Sequence, residues 1–159
     1  MPVKSLREEG FEPAILWDNP NIQSVAEHDV RLATLLSWAD DAGVSVIRCE
    51  AGSGSAVTST PTLAEQRAAW ERAGAPHGFD RLARCRACYA IRLSAACKAA
   101  SELGFTHIST TLAVSPYQLF DDCSAILERM ARASGLEPVI RDWRPLYPQA
   151  TVESRERGM

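Results

Sequence analysis

The sequence lacks several features that would narrow its class at once. No apolar run approaches the roughly 18 residues of a membrane span, and the opening MPVKSLREEG has no apolar core of a signal peptide, so a cytoplasmic protein is expected. Charge of one sign is also missing. A formal net charge of −3 gives no bulk attraction to nucleic acid, although local clusters can still bind phosphate. No internal repeat is visible. Cysteine is sparse and odd in number: five thiols without a secretory signal do not make a disulfide framework, which leaves metal, redox or core roles. His28, His77 and His107 are isolated, with no partner at metal-ligand spacing, and are expected to be solvated or structurally hydrogen-bonded.

What is present suits a single globular domain. The 159 residues are 46% hydrophobic and 23% charged, enough to bury a core. Lys4 to Glu9, stopped by Gly10, reads as the last turns of a helix, and Pro13 to Trp17 reads as a buried strand closed by the turn Asp18-Asn19-Pro20-Asn21. Leu32, Leu35, Leu36 and Ala39 fall at helical spacing between Val25 and Asp41, with Gly43 as the stop, and Val44 to Cys49 returns to strand. The small polar stretch from residue 51 to 61 is a surface loop. Thr62 and Glu65 have capping-box spacing for a helix reaching Gly74, and a loop from Ala75 to Leu82 follows.

A long helix from about Arg84 to Leu103 is apolar on two faces and stops at Gly104. Phe105 to Thr111 is β-branched and reads as a strand, Ser115-Pro116 opens a helix ending near Gly135, and Val139-Ile140 is a last strand before Asp142-Trp143-Arg144-Pro145. Strands alternating with helices indicate an α/β fold with a mostly parallel sheet. Ligands are expected at the carboxyl ends of its strands, where the loops Asp18 to Ile22, Thr110 to Gln118 and Asp142 to Tyr147 lie.

Chemistry concentrates at Cys85-Arg86-Ala87-Cys88. Thiols three residues apart on a helix face one side and can reach one metal or cluster, while Arg84 and Arg86 would favour the thiolates. Zinc, a thioredoxin-like dithiol and an iron–sulfur cluster all remain open on this spacing alone. Cys49, Cys97 and Cys123 sit among apolar residues and read as core. Arg81, Arg84, Arg86, Arg92 and Lys98, joined by Arg141 and Arg144, put positive charge around the pair.

Four segments in order resemble the QueH-type epoxyqueuosine reductases: Asp18 to Ile22; Arg84-Cys85-Arg86-Ala87-Cys88-Tyr89 with Arg92-Leu93; Thr110 to Gln118; and Arg141-Asp142-Trp143-Arg144-Pro145. The resemblance implies a Rossmann-like sheet of the nucleotide α-hydrolase type with helices on both faces. It also implies reduction of epoxyqueuosine at the tRNA wobble position, using a [4Fe–4S] cluster, an additional iron and an electron donor. By it Cys85 and Cys88 are metal ligands. Asp142, following the last strand, reads as a carboxylate in the site or else a loop cap, and Asn19, Asn21, Tyr117 and Gln118, in loops expected to meet at the sheet edge, either bind the modified base or serve turn geometry and helix capping, with Arg144 also expected to contact substrate. Family members also carry a Cys-Cys-x-x-Cys cluster after a first strand and a late Tyr-Cys-x-Cys, neither of which occurs here. The expectation is therefore a domain over 1–159 shortened at both ends, its first strand missing. The alternative is a catalytically inactive fragment or paralogue that binds zinc or RNA.

Overall fold

Short apolar runs form the strands and amphipathic runs the helices that cover them. The computed structural model describes residues 2–22, 24–49 and 61–156. In chain order these are α1 (Pro2–Glu8), β1 (Ile15–Trp17), α2 (Val25–Asp41), β2 (Val46–Arg48), α3 (Leu63–Gly74), α4 (Arg81–Glu102), β3 (His107–Ile108), α5 (Phe120–Ala133), β4 (Glu137–Pro138) and α6 (Tyr147–Glu156). Single 3-10 turns lie at Ala75–His77, Thr111–Val114 and Arg144–Leu146. Among the described residues β1 pairs with β2, from Ile15 opposite Val46 to Trp17 opposite Arg48, and β3 pairs with β4. Both pairs are parallel, as the alternating pattern requires, and the fold is α/β with helices around short parallel strands.

The helix ends follow their sequence signals. The Thr62 hydroxyl accepts from Glu65 N–H while the Glu65 carboxylate takes the Thr62 N–H at 2.8 Å, completing the capping box. Gly43 and Gly104, at φ of 59° and 78°, adopt the left-handed conformation that closes α2 and α4. The main core joins α4 and α5: Leu93, Cys97 and Ala100 pack with Cys123, Ile126, Leu127 and Ala131. Ala99 and Leu103 pack separately with Cys49, so α4 is buried on two sides, as its composition indicates.

Several boundaries differ from expectation: β1 and β2 are shorter than their apolar runs, at Ile15–Trp17 and Val46–Arg48, and other ends are set by caps and tertiary contacts. The strand expected over Phe105 to Thr111 is confined to His107–Ile108, and Thr110 instead caps the 3-10 turn that follows. Ser115-Pro116 does not open α5. The Ser115 carbonyl accepts from Gln118 N–H at 3.2 Å in a turn, and α5 starts at Phe120 after Leu119, whose N–H is held by the Tyr89 hydroxyl at 3.1 Å. The last strand is Glu137–Pro138 rather than Val139-Ile140: Glu137 and Val139 donate to Thr106 and Ile108, and the intervening Pro138 falls where no donor is needed. The loop expected to Leu82 ends earlier, because Asp80 caps α4 through Ala83 N–H at 3.1 Å. The apolar pattern gave no sign of α6. The loop read over residues 51 to 61 lies, apart from Pro61, outside the described residues.

His28 is fully buried and is structural: its Nε2 accepts from the Trp17 indole at 2.9 Å, with the rings edge to face at 5.4 Å. His28→Leu strands that buried indole N–H and is expected to lower unfolding stability by about 2–3 kcal/mol. Urea denaturation measures this, and an unchanged midpoint would contradict the assignment.

Candidate active site

One stripe of α4 carries the site. Residues 85, 88, 89 and 92 recur at helical spacing, so Cys85, Cys88, Tyr89 and Arg92 point to neighbouring places on one face. Arg92 reaches back to the loop after β1, donating to the Asp18 carbonyl at 3.2 Å and the Asn19 Oδ1 at 2.7 Å. Tyr89 donates to Gln118 Oε1 at 2.7 Å and accepts from Leu119 N–H. Burial raises its phenol above the ordinary value, which keeps the donating proton in place. Two of the three expected loops are thus tied to the helix that bears the cysteines. The third touches the second: Tyr147 meets Tyr117 edge-on at 6.0 Å, and the Arg144 guanidinium stacks over Phe120 at 4.6 Å.

Both thiols of the pair are half-buried and free of disulfide. Cys85 packs against the α4–α5 core, and Cys88 Sγ receives the Trp70 indole N–H at 3.2 Å. The other three cysteines are buried, as their apolar settings indicate, and burial pushes the thiols of Cys97 and Cys123 up to about 11. Among the described residues no group of three or more His, Cys, Asp or Glu side chains is placed to hold a metal. Cys85 and Cys88 thus share one face of α4, and the described residues bring no third such ligand to them.

The remaining residues separate clearly. Asn19 and Gln118 are oriented through their amide oxygens by Arg92 and Tyr89, whereas Tyr117 is exposed and offers its carbonyl to Arg81 at 3.0 Å. Asn21 is half-buried in the loop after β1, with its Oδ1 unpartnered. Asp142 and Arg144 hold each other, at 2.8 Å and 2.6 Å, and Asp142 also accepts the Arg144 N–H at 3.0 Å. The guanidinium holds the Asp142 carboxyl at about 2, so it is ionised at any physiological pH. It does cap the loop, as one reading of the sequence had it.

The positive charge around the pair is largely committed. Arg86 pairs with Asp122 at 2.8 Å, Arg141 with Glu9 at 2.6 Å and Lys98 with Glu102 at 3.9 Å, while Arg84 donates to the Gly78 carbonyl at 3.3 Å. Sequence reasoning gave no role to Trp70 or Tyr89. Tyr89 was findable, four residues after Cys85 on the same stripe; Trp70 approaches from another helix and leaves no local signal.

The fold is α/β, and its paired thiols lie within α4, on a face clasped by loops from the strand ends, and not at the start of the helix where a thioredoxin-like dithiol stands. All of residues 1–159 match the model of the family described as "Epoxyqueuosine reductase QueH". The chain is also 26% identical over 144 residues to a protein of Dehalococcoides mccartyi (strain 195) named "Epoxyqueuosine reductase QueH", covering 91% of this chain and 70% of that relative. The chain belongs to the QueH epoxyqueuosine reductase family.

Native protein at pH 8 is expected to take iodoacetamide at Cys85 and Cys88 and to spare Cys97 and Cys123, whose thiolates amount to roughly one part in a thousand there. Peptide mass spectrometry reads the pattern, and equal labelling of Cys97 would contradict it.

Proposed function

We propose that this chain reduces the epoxide of epoxyqueuosine in tRNA to the alkene of queuosine. The observation that carries the reading is a family match along the whole chain that coincides with two thiols on a loop-clasped helix face. Deoxygenation takes two electrons and two protons: both carbon–oxygen bonds break, a carbon–carbon double bond forms, and the oxygen leaves as water. With Cys85 and Cys88 taken as metal ligands rather than as a dithiol reductant, that electron pair comes from an external electron donor, which is part of the proposal.

In this reading Cys85 and Cys88 are metal ligands. The group assigned is a [4Fe–4S] cluster with an additional iron, which would carry electrons and polarise the epoxide oxygen. The chain's own residues position the substrate. Arg92 and Tyr89 occupy the amide oxygens of Asn19 and Gln118, which leaves both amide nitrogens to donate to the modified base. Tyr117, exposed, offers an aromatic face to a nucleotide, and Arg144, fixed by Asp142, offers a guanidinium to phosphate. Asp142 is the site's carboxylate; ionised at neutral pH and paired with Arg144, it orients the guanidinium and supplies neither of the two protons that the reaction consumes. A cytoplasmic setting accompanies this reading, and no described helix is long and apolar enough to cross a membrane.

The test is conversion of tRNA bearing epoxyqueuosine by anaerobically iron- and sulfide-loaded protein with dithionite. Nucleoside mass spectrometry should show loss of one oxygen, with turnover reduced by about a hundredfold or more in the Cys85→Ser/Cys88→Ser variant, since losing even an outer-shell partner costs roughly 10–100-fold. No conversion by loaded wild type, or equal conversion by the double variant, would contradict the proposal.

A further inference from the structure

A second cluster of polar side chains, which the reductase reading leaves unused, lies at the carboxyl ends of β1 and β2. Gln66 of α3 is 8% exposed, and its Nε2 donates to the Cys49 carbonyl at the end of β2 and to the Pro61 carbonyl at 3.2 Å. Those bonds fix the amide with its oxygen turned away, and that buried Oε1 has no partner. The next residue, Arg67, donates through its terminal nitrogen to the Ser24 carbonyl at 3.1 Å in the loop after β1, while its buried Nε has none. Asn21, in that same loop, buries an Oδ1 without a partner. Asp18, buried and partnered, stands at the same strand end. Buried polar atoms are nearly always hydrogen-bonded, and each orphan weighs against the free fold; besides Asp18 and Arg48, which have partners, these three stand beside the ends of β1 and β2 and leave hydrogen-bonding capacity for a ligand.

The pattern is chemically selective. Two acceptors, Asn21 Oδ1 and Gln66 Oε1, and one donor, Arg67 Nε, call for a ligand edge with two donors and one acceptor. The Watson–Crick edge of guanine is such an edge: N1–H and the N2 amino group donate, and O6 accepts. Adenine offers one donor and would leave an amide oxygen unmet. The place adjoins the cysteine stripe, because Trp70, one turn after Gln66 on α3, contacts Cys88, and Arg92 holds Asn19 beside Asn21.

We propose that Asn21, Gln66 and Arg67 read the Watson–Crick edge of the guanine-type base that carries the epoxide. The proposal rests on the reductase reading for the identity of the base, and Gln66 and Arg67 are specificity residues rather than redox ones.

The test is fluorescence-anisotropy binding of the full chain to three anticodon stem–loop RNAs that differ only at the wobble nucleoside: guanosine, inosine or adenosine. Wild type should bind guanosine about tenfold tighter than inosine, which lacks the N2 donor, and more tightly still relative to adenosine. Gln66→Met should erase the guanosine–inosine difference. Asn21→Leu should weaken guanosine binding about tenfold while leaving the thermal midpoint unchanged or raised, since it removes an orphan. That outcome separates a ligand contact from a structural one even if Gln66→Met folds poorly. Equal binding of the three RNAs by wild type, or unchanged discrimination in a folded Asn21→Leu variant, would overturn the base-edge assignment. Conversion of epoxyqueuosine tRNA on the same samples keeps the two readings apart. Reduction without base discrimination removes the base-edge assignment alone, whereas discrimination lost on substitution but no reduction supports that assignment and removes the reductase reading.

Discussion

The helical repeat of α4 is the constraint on which the site depends. At 3.6 residues per turn, positions 85, 88, 89 and 92 fall within one stripe, so two thiols, a phenol and a guanidinium are delivered together by one rigid element. The phenol and the guanidinium each hold a loop from a strand end, 30 and 74 residues away in sequence. Backbone that would otherwise be free to move is thereby fixed beside the cysteines. The anchor is sound because the C-terminal half of the same helix is buried against both α5 and β2's end, through Leu93 and Cys97 on one side and Ala99 on the other. Loosening that half would misplace the chemistry at its other end.

Charge around the site works mainly to hold geometry. Arg86, Arg141 and Arg144 are each paired with a carboxylate, and Arg92 is spent on Asn19 and Asp18. Exposed pairs of this kind add little stability, so their value lies in orientation. What the site lacks in free charge it keeps in unmet hydrogen-bonding capacity: amide nitrogens on Asn19 and Gln118, and buried orphans on Asn21, Gln66 and Arg67. A site rich in unfilled amide groups is suited to reading a base edge, where hydrogen-bond pattern discriminates better than charge.

Much of this was legible in the sequence, and the limits follow from what periodicity encodes. The capping box at Thr62, the glycine stops after α2 and α4, the parallel pairing and the core roles of Cys97 and Cys123 are set by local chemistry, and each stands where the pattern put it. The start of α5 was misread because Ser115-Pro116 is a good local cap; the Tyr89 hydroxyl, a tertiary partner, settles the boundary instead. Two of the loops that resemble the family motifs are tied to the cysteine-bearing helix by Arg92 and Tyr89. Gln66 and Trp70 could not have been singled out, since a glutamine and a tryptophan on an amphipathic helix carry no signal until α3 is seen against Cys49 and Cys88. Asp142 illustrates the opposite case: its place in a motif drew attention, and its geometry shows a carboxylate committed to Arg144.

The central claim is that Cys85 and Cys88 are where a metal centre meets this chain. Iron K-edge X-ray absorption of anaerobically loaded protein tests it most directly. The account predicts sulfur scattering in the first shell of iron that is lost, together with bound iron, in the Cys85→Ser/Cys88→Ser variant and retained when Cys97 is replaced by alanine. Iron bound with the same sulfur shell in the double variant would contradict it.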